Sequence, residues 1–144
     1  MSRPALVPEL YVSDLAFSLD FYVGTLGFCI EYERPEERFA ALRLGSAHLM
    51  LEEARALAPA TSEAFRAGEW RTAELVRPFG RGMNLEIEVA GLDEIASRLR
   101  GRSREMLLEP HERSYRVGRT DRAVRQLLVA DPDGYLIRLS HRLA

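Results

Sequence analysis

Carboxylates, histidines and aromatic rings are the chemically useful groups in this chain, and their spacing limits what they can do. Glu9 and Tyr11 alternate on one face of an apolar run, and Asn84, Glu86 and Glu88 do the same on another. Glu52 and Glu53 are adjacent, so on a strand they point to opposite faces and do not form a working acid–base pair. His48 shares a strand face with Met50 and Glu52; it lines a cavity or is a half-buried polar residue, and the sequence leaves both open. His111 and His141 read as exposed loop and tail residues. Trp70 and Phe79 precede the second half of the chain and offer flat surfaces for stacking, although Trp70 equally suits a plug holding its segment onto the core. Phe17, Phe21 and Phe28 read as core. The segment from His111 to Arg116 reads as a mobile loop, with Tyr115 and Arg116 at the rim of a site. There is no Gly-rich phosphate loop, Cys-x-x-Cys pair or serine nucleophile elbow.

Composition excludes further chemistry. All 20 basic residues are arginine, so no amine side chain can form a Schiff base. Net charge is −2, which gives no general attraction to nucleic acid. The single cysteine, Cys29, has no internal disulfide partner and is expected to be a small buried hydrophobe. No signal peptide is read before the first apolar segment and no run is long enough to span a membrane, so a cytoplasmic protein is expected. With 144 residues and 47% hydrophobic content, one well-buried core or two small fused units can form.

The elements that position these groups come in a repeat. Leu6 to Val12 alternates, with Leu6, Leu10 and Val12 on one face and Val7, Glu9 and Tyr11 on the other. Ser13 or Asp14 caps a helix with Leu15, Leu19, Tyr22 and Val23 as its stripe, stopped by Gly24 and Gly27. Strands are predicted over 28–33, 38–44 and 47–53, the last two joined at Gly45-Ser46. Met83 to Val89 then alternates strictly, and Leu92, Ile95, Ala96 and Leu99 mark a second helix. Strands are predicted near 106–108, 124–130 and 135–140, with Asp131-Pro132-Asp133-Gly134 as the final turn. Val7 matches Asn84 at the same offset at which Val12 matches Val89. The reading is α+β: two βαβββ modules, 1–53 and 83–144, forming a curved mixed sheet around a cleft, joined by a linker, 54–82, with a short helix near Thr61 to Ala67. Each sheet has one face covered by its helix. The polar faces, with Glu9, Glu86 and Glu88, meet solvent or a ligand.

The stretch "VSDLAFSLDFYVGTLGF" resembles the first-helix signature of the vicinal oxygen chelate superfamily, also called the glyoxalase, bleomycin-resistance and dioxygenase superfamily, and "VADPDGYLIRLS" resembles its last hairpin. "VPELYVSDL", "HLMLEE" and "GRGMNLEIEVAGLDEI" look most similar to the bleomycin-resistance proteins. The resemblance covers nearly the whole chain. It implies a homodimer with clefts between modules, and metal-ligand positions at Val7, Asn84, Arg138 and the end of the fourth strand, where Glu52 suits the role. Val7 has no lone pair, Asn84 is a weak donor and the Arg138 guanidinium repels cations. The expectation is therefore no metal, no cofactor and no catalytic residue, but a small-molecule binding protein that sequesters a cationic, aromatic ligand as bleomycin-resistance proteins do. Glu9, Tyr11, His48, Glu52, Trp70, Phe79, Asn84, Glu86, Tyr115 and Arg138 are the candidate ligand-binding residues. The alternatives are a metal-dependent lyase, isomerase or thiol transferase of the same fold, with a metal held through Glu52 and His48, or a ligand-sensing module. No nucleic-acid or membrane partner is implied.

Overall fold

The structure is a computed structural model that describes residues 3–55 and 62–143. Two four-stranded mixed sheets carry the fold. In the first, β1 (Glu9–Val12) lies parallel to β4 (Ala47–Glu53), which pairs antiparallel with β3 (Phe39–Leu44), and β3 with β2 (Cys29–Arg34). In the second, β5 (Asn84–Glu88) lies parallel to β8 (Leu136–Arg142), which pairs with β7 (Thr120–Ala130), and β7 with β6 (Met106–Val117). Strand order is therefore the same in both units, β1-β4-β3-β2 and β5-β8-β7-β6. The turn at Gly45, with φ of +59°, and that at Gly134, with φ of +92°, use the left-handed backbone that glycine adopts freely. Among the described residues no helix is long and apolar enough to cross a membrane.

Alternation along each strand sends one set of side chains into a shared core. Leu10, Val12, Leu49 and Leu51 from the first sheet join Ile87, Leu127, Ile137 and Leu139 from the second in one cluster. The helix α3 (Leu92–Gly101) buries Leu92, Ile95, Ala96 and Leu99, the stripe its spacing predicts. The first helix departs from its predicted stripe. It begins as α1 (Leu15–Leu19), capped by Asp14 through the Phe17 N–H, and continues as a π-helix over Asp20–Leu26. The wider winding turns Phe21, Tyr22, Thr25 and Leu26 inward, while Leu15, Leu19 and Val23 are only partly buried. Gly24 lies inside this segment and does not end it; Gly27, with φ of +96°, does. Tyr22 packs edge-on against Phe21 and Phe28 at 5.1 and 5.8 Å.

Other sequence expectations need correction. Leu6 is 80% exposed, because the first strand starts only at Glu9. Phe17 is exposed, its ring 4.9 Å from the Arg104 guanidinium. Cys29 is exposed on the outer strand β2. The segment from His111 to Arg116 is no loop: it belongs to β6, which runs with β7 as one long hairpin turning at Gly118. His141 is on β8, partly buried, with Nδ1 3.1 Å from the Val89 carbonyl oxygen. In the linker a helix α2 (Ser62–Arg66) is present; the predicted start at Thr61 lies outside the described residues.

Polar pins join the modules at the last turn. Buried Asp131 accepts hydrogen bonds from the Tyr22 hydroxyl at 2.7 Å and from the backbone N–H of Asp133 and Tyr135 at 2.9 and 2.8 Å. Asp133 accepts from the Ser13 hydroxyl at 2.6 Å, the Ser13 N–H at 3.0 Å and the Arg77 guanidinium at 3.0 Å. The Tyr135 hydroxyl donates to the Tyr11 carbonyl at 2.9 Å. Each pin ties the β7–β8 turn of the second unit to β1, the helix after it, or the linker.

Candidate functional site: two half-clefts on opposite sheets

The faces turned away from the core hold the candidate residues. On the first sheet, pairing sets Glu9 beside Met50 and Tyr11 beside Glu52, with His48 two residues back along β4. A cavity of about 570 Å³ lies over this face, lined in part by Arg3, Val7, Glu31, Tyr32, His48 and Met50. His48 Nδ1 stands 3.1 Å from the Glu31 carboxylate. Glu9 is half-buried. That burial raises its carboxyl above the usual value; the neighbouring Glu52 carboxylate, within hydrogen-bonding reach, raises it further, and Arg34 pulls it back. Two carboxyl groups at one place favour holding a proton or a cation between them. Glu53, one residue on, turns to the other face and accepts from the Leu15 N–H at 3.0 Å and from Arg38 at 2.7 Å.

Tyr11 is buried beneath the linker. Its hydroxyl donates to the Gly68 carbonyl at 3.2 Å and accepts from the Trp70 N–H at 2.7 Å. Burial is the main reason that this phenol is pushed up to about 12. Trp70 does not plug the core: it is 63% exposed, tethered through an indole N–H bond of 2.9 Å to the Phe65 carbonyl. Phe79 sits elsewhere, edge-on to Tyr135 at 6.2 Å and partly buried against the core. Trp70 and Phe79 line neither half-cleft, and they are not brought together with each other.

On the second sheet a cavity of about 290 Å³ gathers Asn84, His111, Arg113, Tyr115, Gln126 and Arg138. Arg138 pairs with Glu86 at 3.0 Å, and the Ser140 hydroxyl donates to the other Glu86 oxygen at 3.1 Å. The buried Gln126 stands between two partners: its amide nitrogen is 2.8 Å from the Tyr115 hydroxyl and 3.1 Å from His111 Nε2. His111 Nδ1 lies 2.8 Å from the Glu109 carbonyl. That pattern assigns the proton to Nδ1 and leaves Nε2 to accept from Gln126. His111 is therefore a fixed part of the cavity wall rather than a loose loop residue. Sequence reasoning missed Glu31, Arg113 and Gln126. Arg113 carried a signal, because His111, Arg113 and Tyr115 follow strand alternation, whereas Arg116 falls on the other face.

The strand register also relocates one inferred ligand position. Glu9 pairs with Met50 as Glu86, its repeat equivalent, pairs with Arg138. The first-module counterpart of Arg138 is thus Met50, not Glu52. Val7 and Met50 line the first cavity, and Asn84 and Arg138 line the second. An alkyl group, a thioether, an amide and a guanidinium do not make a site for a divalent metal of the kind that imidazole and carboxylate hold. Among the described residues no group of three or more His, Cys, Asp or Glu side chains could hold a metal ion.

Comparison with known proteins agrees with this architecture. The family model of the Glyoxalase/Bleomycin resistance protein/Dioxygenase superfamily matches residues 5–139, and the chain belongs to that superfamily. Among solved structures, it is similar to TioX from Micromonospora sp. ML1, with 18% identity, 98% of this chain and 100% of that one covered, and a TM-score of 0.69. It is also similar to virulence protein STM3117 from Salmonella typhimurium, at 21% identity, 99% of both chains and a TM-score of 0.65. A glyoxalase/bleomycin resistance protein/dioxygenase from Nocardioides is 24% identical over 99% of this chain and 86% of its own, with a TM-score of 0.63. These likenesses show the fold. No curated protein matches.

Proposed function

We propose that this protein binds a small molecule without a metal, sequestering it in the manner of the bleomycin-resistance members of its superfamily. The observation that carries this reading is the set Val7, Met50, Asn84 and Arg138, which fills the superfamily's ligand positions with groups that do not hold a transition metal. The half-clefts supply what a binder needs instead: apolar walls with a few polar groups on a rigid sheet. The first suits a cationic aromatic ligand, with Glu9 and Glu52 as its acidic pole and the exposed Trp70 ring near the buried Tyr11. Purified protein is expected to hold far less than one Zn, Ni, Mn or Fe per chain by elemental analysis. About one tightly bound ion per chain would overturn the proposal in favour of a metal-dependent enzyme.

The same reading includes a homodimer. Within one chain the two cavities share no lining residue, so each is half of a cleft. The first face carries Glu9, Glu31 and Glu52 and the second carries Arg113 and Arg138, so a second copy can set acidic face against basic face twice around a two-fold axis. Light scattering at micromolar concentration is expected to give about twice the 16.3 kDa chain mass. A mass that stays near 16.3 kDa would remove the dimer from the proposal.

A further inference from the structure

We infer that the second half-cleft is a seat for a carboxylate carried on an apolar body. The inference rests on the metal-independent binding reading and adds to it the chemistry of one end of the ligand. The cavity is lined by hydrogen-bond donors and by no carboxylate: Arg138, Arg113, the Asn84 amide and the Tyr115 hydroxyl converge there. Glu86 offsets only part of this. It meets Arg138 at one nitrogen, Nη2, and its side chain is 51% exposed, while Arg138 Nε is enclosed and has no hydrogen-bond partner. Arg113 lies over the Tyr115 ring at 5.2 Å and makes no ion pair among the described residues. With Glu86 set against Arg138, one positive charge remains, and a single carboxylate balances it.

The Tyr115 hydroxyl accepts from Gln126 and keeps its own hydrogen to donate. A planar carboxylate suits these donors because guanidinium groups bind it with two parallel hydrogen bonds. The apolar body has a place too. A trough of about 380 Å³, walled by Pro78, Met83, Leu107 and Ala130, shares Asn84 and Leu136 with the polar cavity. Met83 and Leu107 are 43% and 60% exposed, apolar surface that an occupant would cover. A phosphate without such a body leaves the trough unused.

Calorimetry with 1-naphthoate tests this, with its neutral isostere 1-naphthamide, 1-naphthylamine and inorganic phosphate as comparisons. Naphthoate is expected to bind at least about tenfold more tightly than the amide, the size of one charge-assisted hydrogen bond. Arg138→Met should remove about that factor, and Arg113→Met should weaken binding by a smaller one. Glu86→Gln should tighten it, since Glu86 competes for Arg138. Circular dichroism and thermal melting check that each variant is folded, and Glu86→Gln carries the test if Arg138→Met is not. Equal affinity for naphthoate and naphthamide, phosphate binding as well as naphthoate, no saturation by naphthoate at millimolar concentration, or weakened binding in Glu86→Gln would each overturn the inference. Binding of 1-naphthylamine but not naphthoate would overturn it too, yet leave metal-independent binding standing. A bound metal ion is what removes the latter.

Discussion

Replacing Asp131 with alanine is expected to destabilise the chain by about 3 kcal/mol, a large loss for one polar side chain. The carboxylate satisfies three donors at once: the Tyr22 hydroxyl on one oxygen, and the N–H groups of Asp133 and Tyr135 on the other. Asp131 is 5% exposed and Tyr22 is fully buried, so no water replaces the lost acceptor at the Tyr22 hydroxyl. Burial raises the Asp131 carboxyl above its usual value even though all three hydrogen bonds pull it down. The native state therefore already carries a desolvation cost, which keeps the net loss below the sum of three orphaned donors. Asn at this position keeps an oxygen for both N–H groups and loses only the bond from Tyr22 to a charge; about 1 kcal/mol is expected. Urea unfolding monitored by circular dichroism checks both values. A midpoint for Asp131→Ala that corresponds to less than about 1 kcal/mol would show that the turn is not a structural joint between the modules.

That joint shows what the amino-acid order makes legible. Asp131-Pro132-Asp133-Gly134 announces a turn by its residue types alone. That its carboxylates reach Tyr22 and Ser13, far away in the chain, is tertiary information with no local trace. The same division holds along the strands. Met83 to Val89 alternates between apolar and polar residues because one face meets the core, so its strand is readable. The outer half of β6 and β7 is exposed on both faces, so no apolar contrast marks it, and a twelve-residue strand passes for a loop. The stripe of the first helix escapes a reading by helical period because a π-helix changes that period. At the site, parity alone places Glu9, Glu52, Asn84, Glu86 and Arg138 on the open faces. Which of them touch depends on register, and register is what ties Glu86 to Arg138 and puts Met50 where the resemblance alone would put Glu52.

The register also separates two carboxylates that the sequence treats alike. Glu86 is engaged with Arg138 and Ser140, whereas Glu9 faces Glu52. A flat cationic ligand of the bleomycin class is therefore expected to depend on Glu9 and Glu52, and hardly on Glu86. Glu9→Gln should weaken its binding by roughly 1–3 kcal/mol, because it removes one charge from a partly desolvated pair. The pH dependence follows from the direction of the Glu9 shift. Its folded carboxyl lies above 4.5, so as pH rises from there through the folded value the group loses its proton and the affinity for a cation climbs. Within that window a bound cation should release a proton, which calorimetry in buffers of different ionisation enthalpy detects. The sign for the unliganded fold is opposite: the stability held by protonated Glu9 is lost as pH rises through the same value. Glu9→Gln should flatten both dependences. The exposed Trp70 ring offers a second readout, since a stacked ligand should quench its emission saturably. Binding that is unchanged by Glu9→Gln, or that weakens as pH rises from 4.5 to about 7, would place the cation elsewhere and leave the carboxyl pair without a role in recognition.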